Sequence, residues 1–430
     1  MVENRKPIWI KEATEMVMHF KKRGSFEKVS LDDCDGRFLA QPLKADHDVP
    51  PFNRSPYDGF ALRASDTIGA SRENPLTFEV VDEIGAGSVS HYELGSMESI
   101  RIMTGAQIPQ NADCVIMLEL VQEKKHSNGR QYIVLKRPLQ KGDNISFQGE
   151  DAKLGTSLIK QGEKINPGVK ALLATFGYPE VPCVKPPLVG IITTGSELLR
   201  PEEDLVPGKI RNSNGYMIEA QIVRAGGLYK RYGSVADQFK DLLSIVKKAM
   251  TECDIVITTG GVSVGDYDYM PKVYQSLGAE LLFNKIAMRP GSVTSCAQKD
   301  GKLFFGLSGN PSACYIGFEL YVRPYIRYWL YSSKPYLKKI TGKLKSDFPK
   351  ANPFSRFVRC KLSIENGHVY ANPVGLDKSG VVTSLAWADC LAVLPGGTKG
   401  FAVEDSVEIL MLEDQEGSED PWIESRFSKL

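Results

Sequence analysis

The chain has 430 residues, 53 Lys and Arg against 52 Asp and Glu, and 42% hydrophobic residues. At about 150 residues per domain the length holds roughly three units with ordinary globular cores. The balanced charge gives no bulk field for a nucleic acid, no apolar run reaches the ~18–20 residues that span a bilayer, and the N-terminus lacks the apolar core of a secretory signal. The eight cysteines, from Cys34 to Cys390, form no C-x-x-C pair. That removes zinc ribbons and redox motifs and predicts buried reduced thiols in a cytoplasmic protein.

Taken in chain order, residues 8–22 carry an apolar stripe (Ile8, Ala13, Met16, Val17, Phe20) that predicts an amphipathic helix. From about 25 to 165, short β-prone runs alternate with Gly, Pro, Asn and Asp clusters. Strands are predicted at Thr77–Val81, Ser99–Met103, Cys114–Val121 and Tyr132–Leu135, with a hairpin turn at Asn128-Gly129. A helix capped by Asn166 and closed by Gly177 leads to a proline-stiffened connection. From 188 to 331 strands alternate with helices. The strands are Leu188–Thr193, Tyr229–Val235, Asp254–Thr259, Leu281–Ile286 and Lys302–Leu307. The helices are a short one after Gly195, one to about Arg224, then Gln238–Met250, about 269–277, and Ser312 to about Leu330. This pattern predicts a mostly parallel sheet with helices on both faces. The stretch 338–412 returns to short strands (Val358–Ile364, His368–Pro373, Cys390–Leu394, Ser406–Leu412) and predicts a small β-barrel or sandwich.

Parallel sheets bind ligands at the carboxyl ends of their strands. Three strand-to-loop junctions there pair glycines with hydroxyls: Thr193-Thr194-Gly195-Ser196-Glu197, Thr258 to Asp268 with Gly260, Gly261 and Ser263, and Gly306 to Ser312 with Ser308, Gly309 and Asn310. Glycine admits close backbone approach, and hydroxyls with helix N–H groups bind phosphate. None of the three is a P-loop or a dinucleotide G-x-G-x-x-G. Glu197, Asp237, Asp266 and Asp268 fall on the same face, and hard carboxylate oxygens beside phosphates suit Mg²⁺. Asp237 reads equally well as a helix cap, and Asp266 as a turn residue. Lys285 and Arg289, four apart in an extended run, are expected on one side of a strand facing an anion. The five histidines form no metal motif, and no G-x-S-x-G occurs. The residues alone therefore indicate a phosphate-binding transferase and leave its substrate open.

Several stretches together carry a resemblance: Pro51 to Ala61, Ile102 to Ala106, Gly149-Glu150-Asp151, Thr194 to Leu198, Gly260 to Tyr269, Ala287 to Gly291, and Gly306 to Pro311. In this order they resemble the molybdopterin molybdenumtransferase family, the bacterial MoeA proteins, whose relatives include the E domain of gephyrin. The resemblance implies Mg²⁺-dependent insertion of molybdate into adenylylated molybdopterin with release of AMP. It implies a homodimer with its active site at the subunit interface. It also implies a multidomain α/β-plus-β fold, divided as 1–45 with 146–184 (N-terminal helix and small linker domain), 46–145 (inserted β-rich domain), 185–335 (α/β molybdopterin-binding domain), 336–415 (C-terminal β-barrel-like domain) and a tail 416–430. Carried over by position, Glu197, Asp237 and Asp268 resemble the acidic set for Mg²⁺ and pterin, and Lys285 and Arg289 the anion-facing pair. Asp58, Thr104 and Asp151 match the set given by the other subunit, while Arg359 and Ser379 match positions near the molybdate pocket. The chain departs from the family where Ser146-Phe147-Gln148 and Ser292-Val293 replace cations, and where Ser308 replaces proline. The missing cations motivate an alternative, a binding or scaffold protein on the same fold.

Overall fold

The computed structural model describes residues 6–127, 129–235, 238–261, 269–349 and 353–412. The chain divides into two compact units, one of residues 1–40, 161–166 and 180–430, the other of 41–160 and 167–179.

The first unit is built on strand β1 (Leu188–Thr194), helix α1 (Asn214–Ala225), β2 (Leu228–Val235), helix α2 (Phe239–Glu252), β3 (Ile255–Thr259), helix α3 (Met270–Leu277), β4 (Glu280–Phe283), β5 (Ser295–Lys299), β6 (Lys302–Leu307) and helix α4 (Pro311–Gly317). The sheet order is β2-β1-β3-β6-β5-β4. The first four strands are parallel, and β5 and β4 add on antiparallel. Strands β1, β3 and β6 are unbroken apolar runs, with Val189, Ile191, Ile192, Ile255, Val256, Ile257 and Leu303 to Phe305 buried. Such runs are required of strands covered on both faces. α1 starts where the Asn212 side chain accepts the Gly215 N–H, and it stops at Gly226 in a left-handed turn (φ 97°). α2 is amphipathic and buries Leu242, Val246 and Ala249.

After α4 the helix continues to Trp329 through a π turn at Phe318–Val322. Pro324, which has no N–H to donate, sits just beyond that turn. The expected long helix is thus present with one irregular turn.

Beyond it come β7 (Lys339–Leu344), β8 (Ser355–Glu365), β9 (His368–Pro373), β10 (Cys390–Leu394) and β11 (Ser406–Met411). Their pairing closes on itself in the order β8-β9-β7-β11-β10-β8, a five-stranded barrel. Alternate residues fill its interior: Val358 and Cys360, Cys390, Ala392 and Leu394, Val407 and Ile409. The expected barrel is therefore present.

The second unit carries a curled sheet in the order Cys114–Met117, Gly59–Leu62, Glu98–Ile102, Leu76–Ile84, Gln131–Leu135, Gln122–Lys125. Its faces support separate cores, one around Phe60, Phe78 and Ile133, the other around Ala61, Ile100 and Val115. The predicted hairpin pairs as expected, Lys125 opposite Gln131, although Asn128 itself lies outside the described residues. All eight cysteines are buried and free. No helix among the described residues is long and apolar enough to cross a membrane.

Two expectations fail locally. No helix follows Gly195; a turn leads to Leu198–Leu199, which pairs in parallel with Ile210–Arg211. Pro201, Pro207 and Gly208 in that excursion prevent a helix. Strand β5 was not anticipated. It forms a hairpin with β6 across Asp300-Gly301, both at positive φ (52° and 73°), which is the Asp-Gly turn signature.

Candidate active site

The described residues of the three predicted loops meet at the carboxyl rim of the parallel sheet. Thr194 ends β1, is buried, and donates its hydroxyl to the Thr259 carbonyl at 3.2 Å. Gly195 follows at φ +141°, and the Glu197 carboxylate folds back over it, 2.5 Å from where a β-carbon would stand. The Gly260 N–H donates to Leu307 at 3.1 Å. A β-carbon on Gly260 would meet the Thr194 carbonyl at 2.7 Å, and one on Gly309 would touch Gly260 Cα at 3.6 Å. Bare backbone thus lets Thr194, Gly195, Gly260, Gly261 and Gly309 come together, and glycine turns at a sheet rim admit close approach of a phosphate. Ser196 is exposed and its carbonyl takes the Lys209 ammonium. Asp237, Ser263 and Asp268, with Asp266, lie outside the described residues. Glu197 is the member of the predicted acidic set that can be placed, and it is exposed. Among the described residues no three His, Cys, Asp or Glu side chains gather to hold a metal.

Sequence reasoning missed Asn214. Its amide donates to the Gly309 carbonyl at 2.8 Å, while its buried Oδ1 has no partner.

Beside the third loop lies a cavity of about 340 Å³ lined by Arg289, Ser308, Asn310, Arg356, Asp377, Lys378 and Ser379 among others. Its wall carries three cations against one carboxylate, a net positive surface suited to a small oxyanion. Arg289 and Ser379 both line it. Lys285 is not part of the lining. The alternation argument fails because β4 ends at Phe283 and the chain turns tightly, with the Met288 N–H donating to the Ile286 carbonyl. Arg359 also stays out of the lining. It is 1% exposed and spends its guanidinium on Ser384 Oγ (2.7 Å) and the Leu376 carbonyl (2.8 Å). Arg356, on the same strand and paired with Asp377, takes the wall position instead. Helix α4 and the barrel loop are tied by the Ser312 N–H to Ser379 (3.0 Å) and the Ser312 hydroxyl to Val381 (2.5 Å).

In the second unit Asp58 is exposed and accepts both the Thr104 N–H (2.6 Å) and its hydroxyl (2.8 Å). These bonds, the backbone one first, hold the Asp58 carboxyl below its ordinary range. Any stability this carboxylate contributes is present above the ordinary carboxylate range and is lost as pH falls through its lowered midpoint. Thr104→Val removes the weaker of the two bonds, so a carbon-13 carboxyl NMR titration should show the Asp58 midpoint rising partway toward normal. An unchanged midpoint would contradict this assignment. Thr104 also lines a cavity with Arg54, Ser146 and Glu150. Asp151 is exposed and donates its N–H to the Val49 carbonyl at 3.0 Å.

An open sheet whose rim gathers glycine–hydroxyl loops next to a cation-lined cavity defines an anion-handling α/β protein. Family profiles match along the chain: "MoeA N-terminal region (domain I and II)" at residues 8–177, "Probable molybdopterin binding domain" at 190–328, and "MoeA C-terminal region (domain IV)" at 341–412. The chain is 54% identical to the molybdopterin molybdenumtransferase of Bacillus subtilis, covering 100% of both chains. It is 46% identical to that of Staphylococcus aureus strain Mu50, covering 98% of this chain and 99% of the relative. The crystal structure of the molybdopterin biosynthesis MoeA protein from Pyrococcus horikoshii matches with a TM-score of 0.82 at 31% identity, over 95% of this chain and 100% of that one. The chain belongs to the molybdopterin molybdenumtransferase (MoeA) family.

Proposed function

We propose that the chain is a molybdopterin molybdenumtransferase acting in molybdenum cofactor biosynthesis, which takes molybdate and adenylylated molybdopterin and releases AMP. The observation that carries the reading is the junction of the loop cradle at Thr194-Gly195, Gly260-Gly261 and Gly309 with the cavity lined by Arg289, Arg356 and Lys378. The cradle suits the diphosphate of the nucleotide-linked substrate, and the cavity suits molybdate. Glu197, with its carboxylate over Gly195, is a hard-oxygen donor of the type Mg²⁺ takes. It would hold the ion together with Asp237 and Asp268, and the ion when bound neutralises phosphate charge. With that ion bound, Glu197 would hold one end of the diphosphate through it, while the backbone of the glycine turns orients the substrate. The test is to supply adenylylated molybdopterin, Mg²⁺ and molybdate and follow AMP by chromatography; no AMP above the enzyme-free control sinks the reading.

Two finer elements belong to the same proposal. Arg356→Ala should raise the molybdate concentration for half-maximal AMP release about tenfold, since a charge-assisted contact to an oxyanion is lost. An unchanged molybdate curve would remove Arg356 from the site. We also propose a cytoplasmic homodimer in which Asp58, Thr104 and Asp151 act in the partner's site. Asp58→Asn and Glu197→Gln proteins, each inactive alone, should then regain up to about a quarter of wild-type activity when refolded together. No recovery in the mixed dimer would place these residues in one subunit's own site.

A further inference from the structure

Glu319 lies in the π turn that follows α4 and is 1% exposed. A carboxylate buried to this extent needs compensating charge and donors. Its Oε1 accepts Nε2 of Gln221 (2.7 Å) and a guanidinium N–H of Arg224, both from α1. Its Oε2 stands 3.7 Å from Nε of Arg323, one turn further along the same helix. Arg224 also donates to the Tyr315 hydroxyl at 2.9 Å. Burial works against the Arg224 charge, but Glu319 and Tyr315 outweigh it and raise the pKa above its ordinary value.

Each arginine has a second grip, on the chain where it enters or leaves the barrel. Arg224 donates to the Leu412 carbonyl (3.4 Å), directly after β11. Arg323 donates to the Pro335 carbonyl (3.0 Å), shortly before β7. Entry and exit are themselves joined, since the Met411 N–H donates to the Lys338 carbonyl at 2.9 Å. One carboxylate therefore ties α1 and the π turn to both ends of the barrel.

We propose that Glu319 is a positioning residue for the oxyanion cavity, holding the barrel wall (Arg356, Lys378, Ser379) at one distance from the sheet wall (Arg289, Ser308, Asn310); the inference rests on the functional reading above. The cavity takes its lining from both sides of that seam, while Glu319, Arg224 and Arg323 stand outside the lining. An oxyanion is held well only when donors on both walls reach it together, at about 2.7–2.9 Å for charge-assisted bonds. A buried ion cluster suits that task. Sliding α1, the π turn and the barrel past one another separates charges out of water, which is costly. Apolar packing is non-directional and sets such a distance less sharply.

The test is a calorimetric titration of the full chain with molybdate, set beside urea unfolding. Glu319→Gln keeps the volume but turns an amide donor toward an arginine, so it should weaken molybdate binding about tenfold. Arg224→Lys keeps a charge for Glu319 but cannot reach Tyr315 and Leu412 as well; it should fold and weaken binding about threefold, so the outcome does not hang on the first variant. Val246→Ala is the control. It lies on α2 in a separate core cluster, and it should lower the unfolding midpoint while leaving molybdate affinity as in wild type. A merely structural Glu319 would behave in the same way. Wild-type affinity in either folded variant, or an equal loss of affinity in Val246→Ala, overturns this inference alone. Absence of molybdate binding by wild type overturns the cavity reading beneath it, and this inference with it.

Discussion

Glu197→Gln should lower AMP release by about 10²–10³-fold, because removing one charged group that steadies metal or phosphate in the transition state costs that order of rate. The fold should not notice. Glu197 is exposed, its main-chain carbonyl bond to the Ile210 N–H (2.9 Å) is untouched, and glutamine keeps its length. An unchanged thermal midpoint with lost activity is the expected pair of results. Wild-type turnover in Glu197→Gln would show that the carboxylate over Gly195 is structural. A companion variant sharpens the reading. Gly195→Ala would set a methyl where that carboxylate lies, in a conformation that disfavours any side chain, so it should lose activity and stability together.

Arg359→Met should be the most damaging single change to the barrel, costing about 3 kcal/mol. The side chain is 1% exposed, and burial disfavours its charged form, offset by Asp377. Its removal strands Ser384 Oγ and the Leu376 carbonyl, two acceptors that fix the 376–384 loop. Because Asp377, Lys378 and Ser379 of that loop line the oxyanion cavity, molybdate affinity should fall with stability. Arg359 is thus a positioning residue. Arg356→Met, at a partly exposed pair with Asp377, should cost well under half as much in urea unfolding while still harming molybdate use. Equal unfolding midpoints for Arg359→Met and wild type would refute the assignment.

The contrast between these arginines shows what could be read from the sequence. Glycine turns after apolar strands are local signals, so the three rim loops were legible before any fold was known. The cavity was not, because its cations come from Arg289 and from Arg356 and Lys378, more than sixty residues later in the chain. Which of Arg356 and Arg359 faces the cavity depends on how the barrel closes around β8. Lys285 falls outside the cavity lining because the strand period stops at Phe283 and a turn precedes Met288. The hairpin at Asp300-Gly301 carries its signature in the Asp-Gly pair itself. The replaced cations at Ser146 and Ser292 motivated a scaffold alternative, yet the cavities those serines line hold Arg54 in one case, Arg356 and Lys378 in the other. Both cavities thus keep cationic side chains in their walls.

The two bonds from Ser312 to Ser379 and Val381 have a mechanical consequence. They strap the start of α4 to the barrel loop, so the parts of the cavity wall carried by these two segments are coupled. Heat or denaturant that loosens the barrel should therefore abolish oxyanion capture in the same cooperative step, with no intermediate that keeps a half-open, weakly binding clamp.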